Sequence, residues 1–137
     1  MAIYRCAACG AVNRIAAGAE RPACPRCRCA LDTSGAPQPI DAAALVSVIL
    51  SSPAPVLVDF TAPGASGSCL DGVASERAGE VLCLRVDTAS EPAAAAVWSV
   101  DRTPTLVLFA EGSEVSRLAA TLPPAEISRW VEQEADR

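Results

Sequence analysis

The chain has 137 residues, 51% of them hydrophobic and 20% charged, a composition typical of one globular domain of ordinary size with a small additional module. It contains no histidine, and all 11 basic residues are arginine, so Ser-His and Cys-His nucleophile systems are excluded and any metal must be bound by cysteine or carboxylate. The net charge of −5 argues against nonspecific binding to nucleic acid or to an anionic membrane.

The N-terminus lacks the apolar run of a signal peptide, and the longest apolar stretch elsewhere is far short of a membrane span. We therefore expect a soluble, cytoplasmic, monomeric protein without nucleic-acid or membrane partners. In that reducing compartment, clustered cysteines indicate metal ligands or redox groups more often than structural disulfides.

Four of the seven cysteines form two CxxC pairs near the N-terminus: CAAC at Cys6 and Cys9, and CPRC at Cys24 and Cys27. Each pair can form a tight knuckle, and the sulfurs of two knuckles can converge on one tetrahedral Zn(II). Thiolates fill all four positions, so we expect a structural zinc with no position open for water or substrate. Paired disulfides or redox-active dithiols are the alternative. The segment between the pairs is poor in large apolar residues, so metal binding would supply its folding free energy.

Charge and turn residues divide the chain after this cluster. The first 34 residues carry five arginines against two acidic residues, whereas the remainder is strongly acidic. The segment DTSGAPQP, residues 32–39, is rich in turn residues and is interpreted as a linker. We therefore predict a zinc ribbon, residues 1–34, and a larger domain, residues 35–137. Cys29 is interpreted as a bystander, with a replacement ligand or a redox-sensitive surface thiol as the alternatives.

The first half of the larger domain alternates between helix and strand. The segment IDAAALVSVILSS predicts a helix with Asp41 as its N-cap. VLVDF then predicts a buried strand that contains Asp59. A short helix around GVASERAG, the strand EVLCLRVD and a third helix follow; Ser90 is the predicted cap of that helix, and Pro92 lies in its first turn.

The second half predicts a hairpin and a closing helix. TPTLVLFAEGSEVSRLA is typical of two strands joined near Glu111 and Gly112. PPAEISRWVEQEADR predicts an amphipathic helix with Ile127, Trp130 and Val131 on one face. The whole order indicates an α/β fold, in which a mixed sheet is covered by helices on both sides.

Two segments carry a family resemblance. PVLVDFTAP, followed much later by DRTPTLVLFAEGSEV and a terminal helix, resembles a thioredoxin domain. The four-cysteine ribbon in front, with CGAVNRI completing its first knuckle, is similar to that of the zinc-bearing bacterial thioredoxin-2 type. The resemblance covers nearly the whole chain. It implies a thioredoxin fold and membership of the protein-disulfide oxidoreductases.

The resemblance also implies where the redox site should lie. Without gaps, the active loop Trp-Cys-Gly-Pro-Cys of the family falls on five residues of this chain: Gly64, Ala65, Ser66, Gly67 and Ser68. Ala65 would replace the nucleophilic cysteine, and Ser68 the resolving one. The helix after this loop is shorter than the family's by roughly 5 residues, which weakens the helix N-terminal effect that activates a thiol.

Three further residues or pairs match the family's pattern. Asp59 stands where the family has a buried carboxylate that manages protons for the dithiol. Arg85 stands where a lysine near that carboxylate is usual, and we expect Asp59 to pair with Arg85 or with water. Thr103-Pro104 matches the loop whose proline is cis and whose backbone pairs with an extended substrate peptide. A protein or peptide partner could therefore dock beside it.

Three functions remain open at this point. The first is a redox-impaired thioredoxin-fold protein that binds a partner beside Thr103-Pro104. The second is a monothiol oxidoreductase that uses Cys69, the one thiol near the loop, although one residue of shift turns a helical side chain by about 100°. The third is a zinc or redox sensor that acts through the ribbon and Cys29. Cys83 lies among large apolar residues and is interpreted as a core residue.

Overall fold

The computed structural model describes residues 2–16, 18–62, 70–119 and 122–135. In chain order, the described elements are β1 (Ala2–Arg5), β2 (Val12–Ile15), β3 (Gln38–Pro39), α1 (Ala42–Ser51), β4 (Val56–Thr61), α2 (Asp71–Glu76), β5 (Leu82–Asp87), α3 (Pro92–Val97), β6 (Thr105–Ala110), β7 (Ser113–Leu118) and α4 (Pro124–Ala135). None of the helices within these ranges is both long and apolar enough to cross a membrane.

Five of the strands form one mixed sheet in the order β3-β5-β4-β6-β7. Strands β3 and β4 run parallel to β5, whereas β6 is antiparallel to β4 and β7 is antiparallel to β6. Helices α1 and α3 cover one face, and α2 and α4 cover the other. The predicted α/β fold with a mixed sheet flanked by helices is therefore confirmed.

Alternation along β4 assigns its side chains to the two faces of the sheet. Val58 and Phe60 belong to the core cluster under α1 and α3, and Leu57 belongs to the cluster under α2 and α4. Asp59 is two residues from Leu57 and shares its face. The carboxylate is therefore on the side of the sheet that α2 and α4 cover.

Helix α1 begins as the sequence predicts. The side chain of Asp41 accepts a hydrogen bond from the N–H of Ala44 at 2.7 Å. Leu45, Val48 and Ile49, spaced three and four residues apart, are buried against the sheet. Capping and apolar spacing therefore agree on both the start and the inner face of this helix.

Ser90 is not the cap of α3, so this prediction is wrong. The carboxylate of Asp87 accepts hydrogen bonds from the N–H groups of Ala89 and Ser90, which places Ser90 in a turn after β5. The N-cap is Glu91, and Pro92 occupies the first turn as predicted. The Glu91 side chain instead accepts from the N–H of Ala42, at the start of α1, at 2.9 Å.

The segment interpreted as a linker, residues 32–39, is part of the sheet at its end. Gln38 and Pro39 form β3 and pair with β5 at Leu84 and Arg85. Gln38 also contacts the ribbon: it accepts from Arg5 Nη1 at 2.8 Å and donates to the Arg5 carbonyl at 3.0 Å. The linker interpretation is wrong for residues 38–39 alone, because a two-residue edge strand containing proline leaves no periodic pattern.

The hairpin and the last helix match their predictions. Glu111 and Gly112, between β6 and β7, both have positive φ, 53° and 81°, which is the geometry of a two-residue hairpin turn. In α4, Ile127 and Val131 are fully buried. Trp130 packs beside them and donates from Nε1 to Ser116 Oγ at 3.1 Å.

Candidate metal centre and partner-binding site

The β1–β2 hairpin of the ribbon has two different faces. Ile3 is buried in the core cluster under α1 and α3, and Val12 packs against the same cluster. Tyr4 and Ile15, on the opposite face, pack around the cysteines. One short hairpin therefore joins the cysteine cluster to the core of the larger domain.

The two CxxC segments have matching backbone geometry. In the first, the N–H of Gly10 donates to the Cys6 carbonyl at 2.7 Å; in the second, the N–H of Arg28 donates to the Cys24 carbonyl at the same distance. Gly10 and Arg28 both have positive φ, 83° and 67°. Each segment is therefore a closed knuckle, as the spacing predicts.

The four sulfurs of Cys6, Cys9, Cys24 and Cys27 converge, and every pair lies within 4.8 Å. The Sγ atoms of Cys6 and Cys27 are 3.6 Å apart, and those of Cys9 and Cys24 are 3.7 Å apart. A disulfide would require about 2.05 Å, whereas a tetrahedron with Zn–S bonds of about 2.3 Å separates its sulfurs by about 3.8 Å. The donor set and its spacing fit a tetrahedral metal site.

Backbone N–H groups of the knuckles favour the thiolate form of two sulfurs. The N–H of Cys27 is the largest cause that lowers the pKa of Cys24, to about 6, although burial opposes the shift. The N–H of Cys9 lowers the pKa of Cys6 in the same way. At Cys27 the N–H of Cys29 also lowers the pKa, but desolvation and neighbouring sulfurs raise it to about 12. Ionising all four clustered cysteines would place negative charges side by side, and a divalent cation bound among them would offset that repulsion.

Asn13 belongs to this centre although the sequence analysis did not single it out. It is 8% exposed. Its Nδ2 atom donates to the Ala11 carbonyl at 3.2 Å and to Cys24 Sγ at 3.7 Å. The sequence feature that could have pointed to it is an asparagine within the short strand Val12–Ile15, next to the first cysteine pair. Cys29 is exposed, outside the group of four.

The predicted docking loop lies beside the end of β4. Phe60 of β4 is the register partner of Thr105, the first residue of β6, so the residues before Thr105 lie beside the end of β4. The peptide bond between Thr103 and Pro104 is cis, as the resemblance implies. Thr103 is exposed and Pro104 is half-buried. The hydroxyl of Thr105 donates to the Arg102 carbonyl at 2.7 Å and closes the turn.

The predicted loop residues lie outside the described residues. They are Gly64, Ala65, Ser66, Gly67, Ser68 and Cys69. The helix that follows, α2, has six residues, in keeping with the short helix expected from the sequence.

Asp59 and Arg85 are register partners on neighbouring strands, as the resemblance implies. Asp59 is 2% exposed, whereas Arg85 is half-buried. Asp59 takes part in a further interaction, and the expectation that it pairs with Arg85 or with water stays a prediction.

Cys83 is a core residue, as predicted. It lies in β5 within the apolar cluster under α2 and α4 and is 5% exposed. Burial raises the pKa of its thiol to about 12. This thiol is therefore protonated at neutral pH.

The sheet order, the flanking helices and the cis-proline loop define a thioredoxin-fold protein that carries a four-cysteine cluster. A family model described as Thioredoxin matches residues 38–133. The chain belongs to the thioredoxin family.

Two relatives illustrate the match in sequence. Thioredoxin C-3 of Corynebacterium nephridii is 31% identical over 140 residues, which covers 96% of this chain and 94% of that protein. Chloroplastic thioredoxin M3 of Oryza sativa subsp. japonica is 33% identical over 111 residues, or 77% of this chain. The chain spans 62% of the length of the rice protein and 53% of that of the chloroplastic M-type thioredoxin of Pisum sativum.

A solved structure supports the fold. A single-residue mutant of thioredoxin from Halobacterium salinarum NRC-1 has a TM-score of 0.65 and 21% sequence identity to this chain. The similarity covers 76% of this chain and 95% of that one.

Proposed function

We propose that this protein is a cytoplasmic, thioredoxin-2-type member of the family that has lost its dithiol motif and binds a protein partner. Its ribbon would hold one structural Zn(II) through Cys6, Cys9, Cys24 and Cys27. The resemblance supports the loss, because the family's active loop, placed on this sequence without gaps, puts Ala65 and Ser68 where the family has its two reactive cysteines.

The observation that carries this proposal is the position of Cys83. Five of the seven cysteines belong to the ribbon, which leaves Cys69 and Cys83 in the larger domain. A dithiol cycle needs a second thiol that is accessible and ionisable. Cys83 is buried, and with a pKa of about 12 only about one molecule in 10⁵ carries the thiolate at pH 7. A dithiol cycle within the larger domain therefore has no usable second thiol.

The surface beside Thr103 supports partner binding. Residues 101–103 are exposed and precede β6 outside its strand ladder. An extended segment of another protein could pair with backbone of this kind, and exposed side chains on either side could select its sequence. We propose that a protein or peptide partner docks here, beside Thr103 and Pro104.

Reduction of insulin disulfides by dithiothreitol, followed by turbidity, tests the loss of catalysis. We expect a rate no higher than that of dithiothreitol alone, because the domain cannot complete the exchange. The matched variant carries Ala65→Cys and Ser68→Cys together and is expected to accelerate the reaction. Turnover by the unaltered protein at the rate of a dithiol thioredoxin would overturn the proposal. Slow turnover that Cys69→Ser abolishes and Cys83→Ser preserves would instead assign a monothiol function.

A further inference from the structure

Asn13 connects the two knuckles of the ribbon. Its amide nitrogen donates to the Ala11 carbonyl at 3.2 Å and to the Cys24 sulfur at 3.7 Å. The same Ala11 carbonyl accepts the backbone N–H of Cys6 at 2.8 Å. A continuous set of hydrogen bonds therefore runs from the first knuckle, through the Asn13 amide, to a ligand sulfur of the second.

The Asn13 contact is protected from water. Asn13 is 8% exposed, and Cys24 is fully buried. Both N–H bonds of the amide are directed to acceptors, so the NH₂ group has little freedom to turn. A hydrogen bond to a charged sulfur is stronger than one to a neutral acceptor, and burial increases the difference.

We propose that Asn13 is a positioning residue of the metal centre, which holds the Cys24 sulfur toward the ion and thereby raises the affinity of the centre for that ion. This inference rests on the zinc binding proposed above. A purely structural asparagine would need only its bond to Ala11, and replacing it would destabilise the hairpin without changing how Cys24 binds metal. Removing a group that orients a metal ligand typically lowers metal affinity about 10-fold to 100-fold.

Competition between the protein and a chromophoric chelator for Zn²⁺ measures the effect. We expect Asn13→Leu, which keeps the size of the side chain but removes its donors, to lower zinc affinity about 10-fold to 100-fold. The control is Arg14→Ala, an exposed residue of the same strand whose side chain lies on the opposite face from Asn13 and the cysteines, and it is expected to bind zinc as the unaltered protein does. Circular dichroism of the zinc-saturated proteins checks that both variants fold.

A second measurement uses the unaltered protein and does not depend on the folding of a variant. With ¹¹³Cd²⁺ bound in place of zinc, a scalar coupling across the N–H···S bond should link the cadmium to one Asn13 side-chain proton. Its absence, while couplings to the cysteine Hβ protons are present, would contradict the contact.

The two assignments fail in different ways. If the unaltered protein binds no stoichiometric metal, the zinc centre is wrong and this inference with it. If the unaltered protein binds zinc and the zinc affinity of Asn13→Leu differs from it by less than threefold, the inference alone is overturned.

Discussion

At the scale of single residues, burial decides which cysteines can react. Cys83 is enclosed by the apolar cluster under α2 and α4, whereas Cys29 is exposed. Burial raises the pKa of Cys83 from its usual 9.0 to about 12. The folded state therefore favours the neutral thiol, and this contribution to stability is complete below pH 9 and is lost as the pH rises toward 12.

Alkylation of the zinc-loaded protein at pH 8 should modify Cys29 and spare Cys83. The ionised fraction is about 10⁻⁴ at a pKa of about 12 and about 0.1 at a pKa of 9.0, so Cys83 should react about 1,000-fold more slowly than an ordinary thiol. Peptide mapping by mass spectrometry gives both rates. Unfolding in guanidinium chloride should equalise them, and comparable rates in the folded protein would show that Cys83 is accessible.

At the scale of secondary-structure elements, an irregularity in β7 organises the region before the docking loop. The ladder between β6 and β7 shifts register between Leu108 and Phe109, so Val115 is an extra residue in β7. Glu114 and Arg117 thereby fall on one face and form a bidentate ion pair, with distances of 2.9 and 2.6 Å. The Arg117 guanidinium also donates to carbonyls at the end of α3.

Arg117→Met should destabilise the protein by about 1 kcal/mol, because it removes the bonds to the Trp98 carbonyl at 2.8 Å and to the Ser99 carbonyl at 3.3 Å. The exposed ion pair itself should contribute little. Urea denaturation measures the change, and hydrogen exchange at residues 98–100 should accelerate. Arg102→Met is the matched control, since Arg102 is exposed and its ion pair with Asp101 is long, at 3.9 Å. Equal losses in both variants would argue against the role of Arg117.

The elements differ in how far the sequence could predict them. The knuckles depend on cysteine spacing, and the start of α1 depends on a cap and a helical period, so both are local signals. The short strand β3, the contact of Asn13 with Cys24 and the contacts of Arg117 with Trp98 and Ser99 depend on residues farther away in sequence, and no local pattern encodes them. Ser90 has the residue type of an N-cap and stands just before Pro92 and the alanine-rich helix. Its prediction failed because the Asp87 carboxylate, three residues earlier, holds it in a turn.

At the scale of the whole molecule, the ribbon is packed against the larger domain. The N–H of Ile3 donates to the Gly79 carbonyl at 2.8 Å, and Ile3 itself lies in the core cluster. Gly79 has φ 86°, and a Cβ there would lie 2.9 Å from that of Ala2, so only glycine permits this approach. Binding of a metal ion by the cysteine cluster should therefore stabilise the larger domain as well as the ribbon.

Metal removal tests this coupling. Chelation under reducing conditions should lower the melting temperature of the larger domain by at least about 4 °C, which corresponds to about 1 kcal/mol for a domain of this size. Ile3→Ala weakens the contact between the two parts, so the same chelation should shift its melting temperature less. Calorimetry measures both shifts. A domain transition that chelation leaves unchanged would show that the ribbon folds independently.

The two tryptophans lie on opposite sides of the central sheet and so offer separate optical reporters. Trp98 meets Phe109 edge to face, with ring centroids 4.8 Å apart, on the side of α1 and α3. Trp130 packs in the cluster on the side of α4. Trp98 is also five residues before Thr103. In variants with a single tryptophan, fluorescence could follow each layer of the protein separately, and the Trp98 signal could report a partner docking beside Pro104.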